Sequence, residues 1–87
     1  MGGLARALMA ARPRVVAALA ARFGDLELAE DGFAAAVEIA LRQPAVDDAA
    51  AFLFVTGRRR ILDMLRAERR AAAREADYVM SRDVDRP

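Results

Sequence analysis

Apolar residues recur every three or four positions along most of the chain, the period of helices that bury one side. Between Leu4 and Phe23, the residues Leu4, Leu8, Val15, Leu19 and Phe23 form one such stripe. Pro13 falls inside it, removing an amide donor and crowding the preceding turn, so the pattern predicts a kink there or a fresh start with Pro13 in the first turn. Gly24 then reads as a C-terminal stop and Asp25 as the N-cap of a second helix, with Glu27, Glu30 and Asp31 placed to suit its dipole. That helix is expected to run to about Gln43 and to end before Pro44. Its main face collects Leu26, Ala29, Phe33, Ala36, Val37 and Ala40. A shallower strip of Leu28, Gly32, Ala35 and Ile39 is left either to pack on the first helix or to receive a partner.

A short connection from Pro44 to Asp47 leads to a third helix capped by Asp47 or Asp48. Along it, Leu53, Phe54, Gly57, Ile61, Met64 and Leu65 gather on one side, with Val55 and Leu62 at the edge. Phe52, Thr56, Arg59, Arg60, Asp63, Arg66 and Arg70 fall on the other. The helix continues past Arg70, since nothing stops it before Asp77, and the closing SRDVDRP reads as a tail or linker. The expected architecture is an all-α bundle of three main helices over residues 1–75, followed by a polar tail or interdomain linker over 76–87.

Composition narrows the chemistry. The chain has no Cys and no His, one Ser and one Thr, so a disulfide framework, a thiolate metal site and the common nucleophilic or imidazole mechanisms are closed. The carboxylates are scattered at cap and surface positions, and an enzyme is not expected. No cofactor, metal or small-molecule substrate is implied. No apolar run approaches the ~20 residues of a membrane span, and Arg12 and Arg14 interrupt any secretory-signal layout. The reading is of a soluble, cytoplasmic protein.

All fourteen basic residues are Arg, which GC-rich coding would itself produce. Their distribution says more than their number. Residues 1–57 balance at −2, residues 58–74 at +5 and residues 75–87 at −2. One concentrated basic segment in a near-neutral chain fits a localised polyanion contact, or else a solvated helix end. A phenyl ring among guanidinium groups is what a surface needs to hold unstacked bases and their phosphates.

Three fragments carry a family resemblance: ARPRVVAALAARFGDLELAEDGF, AVEIALRQP and AFLFVTGRRRILDMLRAERR. Together, across residues 4–73, they resemble the second conserved region of bacterial extracytoplasmic-function sigma factors, the alternative specificity subunits of RNA polymerase. The most specific pieces are GDLELAED at Gly24–Asp31 and the stretch Gly57 to Arg66, similar to the family's A-R-N-x-A-L-D-x-L-R helix. The resemblance implies a second helix docking on the β′ clamp of core polymerase through Asp31, Ala34, Ala35 and Glu38. It implies a third helix engaging the promoter −10 element, mainly its single non-template strand, through Phe52, Thr56, Arg59, Arg60, Arg66 and Arg70.

The chain departs from the family in three places. Ala34 and Ala35 stand where Gln-Glu is usual, removing polar contacts to the clamp. Arg59 replaces an Asn, exchanging directional base readout for charge and stacking. Phe52 stands where Trp is common. The family's second, helix-turn-helix domain is not within these 87 residues, and the tail favours a fragment ending in the interdomain linker over a single-domain relative.

Two uses remain open for Phe52: a stacking platform for a base, or a ring folded under the helix start to close the core. Asp63 is placed to pair with Arg59 and Arg66. Arg58 and Arg69 border the apolar side, where their stems would cover the core edge. The alternative function is a sigma-like protein-interaction module that binds a regulator such as an anti-sigma factor, or a second copy, without touching DNA.

Overall fold

The computed structural model of the chain describes residues 2–84, and every regular element among them is a helix. Helix α1 spans Gly3–Phe23, α2 spans Leu26–Leu41 and α3 spans Ala49–Val84, each packing on the other two. The protein is an all-α three-helix bundle. Its core is built from Leu8, Ala11, Val15 and Leu19 of α1, Ala29, Phe33, Ala36 and Ala40 of α2, and Leu53 and Ile61 of α3.

The boundaries follow from local chemistry. Gly24 adopts a left-handed conformation (φ 67°) in which its N–H donates to the Ala20 carbonyl at 2.7 Å, closing α1 at the residue type that takes this geometry without strain. The Asp25 carboxylate accepts from the Leu28 N–H at 2.9 Å, and the Asp48 carboxylate accepts from the Ala51 N–H at 3.1 Å. These are the two N-caps, and Asp48, not Asp47, holds the second. At the end of α2, Arg42 and Gln43 turn their N–H groups back to the Ile39 and Ala40 carbonyls, so the helix closes at Leu41, two residues before the expected end. Val46 packs on the core and ties down the connection.

Helix α1 runs through Pro13 as one element and does not restart there. The Met9 carbonyl that loses its donor lies on an exposed stretch, where water can take the place of the missing N–H. Leu26, expected on the buried face of α2, is 59% exposed, because the first turn projects beyond the helices it would pack against. The shallower strip of α2 meets α3 at Gly32, which is buried against Gly57 and Ile61. Helix α3 does not stop near Asp77: it is helical to Val84, while residues 85–87 of the expected tail or linker lie outside the described residues.

Gly32 and Gly57 set the spacing of α2 and α3. A Cβ on Gly32 would stand 2.6 Å from Ile61 Cγ1 and 3.2 Å from the Gly57 carbonyl oxygen. A Cβ on Gly57 would meet Leu19 Cδ1 at 3.0 Å. Across the other seam, Arg12 Nη2 lies 3.0 Å from Glu30 Oε2, and the guanidinium sits 5.5 Å from the Phe33 ring centroid. That exposed pair contributes at most ~1 kcal/mol, so the bundle rests on packing.

Gly32→Ala is therefore expected to destabilise the bundle by about 1–2 kcal/mol. Overpacking against the fully buried Ile61 outweighs the ~1 kcal/mol gained in helix propensity. Urea unfolding followed by circular dichroism measures it.

Candidate nucleic-acid interface

The two sides of α3 differ sharply. Leu53, Gly57 and Ile61 are buried, and Met64 and Leu65 are half-buried beside them. At about 100° per residue the opposite side carries Phe52, Thr56, Arg59, Asp63, Arg66 and Arg70. The guanidinium-bearing residues Arg59, Arg60, Arg66 and Arg70 are all exposed, with Arg60 toward the edge of the row. Arg59 to Arg70 covers about 16 Å of helix at 1.5 Å per residue.

Asp63 bonds Arg66 alone, Nη1 to Oδ1 at 3.1 Å; no contact from Asp63 to Arg59 is formed. Both partners are more than half exposed, so this is a solvated i,i+3 pair that orients Arg66 without neutralising the row. Thr56 is half-buried. Phe52 is half-buried too, and it packs against the core at the start of α3. The ring thus closes the core and keeps part of its surface in solvent.

Arg58 and Arg69 part company. Arg58 is half-buried, with its Nε sealed from water and without a hydrogen-bond partner, so its stem covers the core edge. Arg69 is exposed, because α3 has already left the bundle at that height and no core lies beneath it. On α2, Asp31, Ala34 and Glu38 are exposed and Ala35 is half-buried, on the side turned from the core. Glu27 is exposed on the same side, which makes it acidic where the α3 row is basic.

Two features were missed in the sequence. One is an open surface depression of about 340 Å³ between α1 and the start of α3, lined by Arg14, Val15, Ala18, Ala50, Ala51 and Phe54. It forms where small Ala side chains of two helices oppose each other, and only the helix pairing reveals that. The other is the exposed trio Tyr78, Val79 and Met80 far along α3. The continuing helical period was the available signal for it. No helix among the described residues is long and apolar enough to cross a membrane, and no group of three or more carboxylates among them is placed to hold a metal ion.

No protein-family model matches the chain, and neither a curated protein nor a solved structure does.

The burial differences separate scaffold from surface. Phe52→Ala should cost about 1–3 kcal/mol of stability, below the 3–5 of a fully buried Phe, whereas Arg59→Ala and Arg60→Ala should stay within about 0.5. Chemical denaturation of the three variants measures the split.

Proposed function

We propose that this chain is a sigma-factor region-2-like domain acting in transcription initiation in the bacterial cytoplasm, binding core RNA polymerase through α2 and melted promoter DNA through α3. The observation that carries the reading is the exposed row of Arg59, Arg66 and Arg70 on the helix side opposite its buried stripe, with Arg60 exposed at the edge. A row of fixed cations beside a partly exposed phenyl ring suits a flexible single strand, which can bring phosphates to the arginines and a base to the ring. The sequence resemblance across residues 4–73 supplies the sigma-factor assignment, and the three-helix architecture is compatible with it.

In this mechanism Arg59, Arg66 and Arg70 neutralise backbone phosphates and Arg60 extends the contact at the edge. Phe52 offers one ring face to a base, a contact that typically contributes ~1–3 kcal/mol. Thr56 lies between Phe52 and Arg59 with its hydroxyl available to a phosphate or base edge. Asp31, Ala34, Ala35 and Glu38 form the polymerase-facing surface, where the exposed carboxylates complement a basic clamp. Two Ala in the middle of that surface leave few side-chain hydrogen bonds, so the docking is weak. A domain with so short a basic row depends on polymerase to present opened DNA.

A second reading has its own support. The outer side of α2 carries Glu27, Asp31 and Glu38 without a basic residue among them, and such a surface fits a basic regulatory protein, such as an anti-sigma factor, with no DNA contact. Co-purification with core polymerase separates the two: a folded chain that captures a regulator but no polymerase supports the second.

Single-stranded promoter DNA should bind with log affinity falling against log salt at a slope of about −3, for about four phosphate contacts. Fluorescence anisotropy with R59E/R66E should show binding lost while unfolding by urea is unchanged. A flat salt response, or equal binding by that variant, rejects the DNA role.

A further inference from the structure

Helix α3 is 36 residues long, and from Arg66 onward every residue whose side chain is described is exposed. Residues 66–84 therefore project from the bundle for about 28 Å at 1.5 Å per residue. A helix of this length with nothing packed on it is marginal in water even when Ala-rich, so its helical state competes with local unfolding.

The order of charges sharpens that competition. Arg66, Arg70 and Arg74 follow one another at i, i+4 and i+8, and all three are exposed. Each step of four residues turns the helix by only about 40°, so the three stay on the side that carries Arg59, away from Leu53, Gly57 and Ile61. Neighbours at this interval have Cβ atoms about 5–6 Å apart, and like charges so placed oppose helix formation. Asp63 answers Arg66, but among the described residues Arg70 and Arg74 have no ion pair. Glu68 and Glu75 stand on the other side of the helix, and Asp77 ends the basic run without bonding Arg74.

A bound phosphate chain resolves this conflict. An anion between two guanidinium groups accepts from both, and charge-assisted hydrogen bonds replace the repulsion. Those contacts need the regular spacing that the helix imposes, because an unfolded segment scatters its arginines. A polyanion therefore binds the helical form better and shifts the local equilibrium toward it.

We propose that the arginine row extends past the bundle to Arg74, and that a single strand bound along Arg66, Arg70 and Arg74 orders the projecting part of α3. The proposal rests on the single-strand reading of the row, to which it adds a contact residue and a coupled folding step. Its ligand is recognised through the backbone phosphates, so ordering does not depend on base sequence.

Amide hydrogen exchange of the 87-residue chain, read residue by residue, tests this. In the free chain at low salt, the amides of residues 71–80 should exchange at least about a hundredfold faster than those of Leu53 to Ile61. Saturation with an oligothymidylate of about 12 nucleotides should slow residues 71–80 about fivefold or more. Without oligonucleotide, raising sodium chloride from about 20 mM to about 500 mM should slow them about twofold by screening the repulsion. R70Q/R74Q, in which Gln keeps nearly the helix propensity of Arg, should lose both responses while the bundle amides stay unchanged. Binding of the oligonucleotide with no slowing at residues 71–80, equal slowing in R70Q/R74Q, or free-chain protection equal to that of the bundle overturns this proposal and leaves the single-strand reading standing. Absence of any binding by fluorescence anisotropy overturns both.

Discussion

The close approach of α2 and α3 at Gly32 and Gly57 is the contact on which the arrangement depends. With no side chain on either residue, the backbones come near enough that a methyl group would press on Ile61 and on the Gly57 carbonyl. That proximity lets Phe33 fill the centre, where it is 1% exposed, and lets Leu19 reach over from α1. Elsewhere in the core of α2 the buried residues Ala29, Ala36 and Ala40 are also small. A bundle of this size has little apolar area to bury, and tight helix spacing makes the dispersion contacts of a few large side chains count fully.

The same crossing fixes which side of α3 meets solvent. Once Leu53, Gly57 and Ile61 are committed to the core, the 3.6-residue period leaves Arg59, Arg66 and Arg70 no inward position. The row of arginines is thus held by packing on the opposite side of the helix, and it needs little help from ion pairs. Only Arg66 has one among the described residues. Phe52 belongs to both sides, because it stands at the first turn, where the helix has not yet entered fully into the bundle.

Much of the fold was legible because caps and stripes are local. Gly24, Asp25 and the pair Asp47 and Asp48 announced the helix ends, and Asp48 was resolved from its neighbour only by the hydrogen bond to Ala51. What periodicity could not supply was the height at which each helix enters and leaves the bundle. Leu26 has the spacing of a core residue but lies in a turn with nothing to cover it. Arg69 has the spacing of a core-edge residue but stands beyond the bundle, whereas Arg58, eleven positions earlier, has its Nε sealed. The shallow strip of α2 was expected on the first helix or on a partner, yet at Gly32 it meets α3: spacing tells which residues share a side, and only tertiary packing tells whose side they meet. The arginine row was readable in full, because exposure on one side follows directly from burial on the other.

One unbroken helix running from the core to Val84 has a geometrical consequence. Whatever the projecting segment holds is keyed in angle to the arginines, as two cams on one shaft are keyed. Adding a single residue between them would rotate one relative to the other by about 100° and shift it along the axis by about 1.5 Å. Insertions of seven residues would nearly restore the phase, at the cost of distance. The length of that shaft is therefore constrained in steps, even where its individual side chains touch nothing.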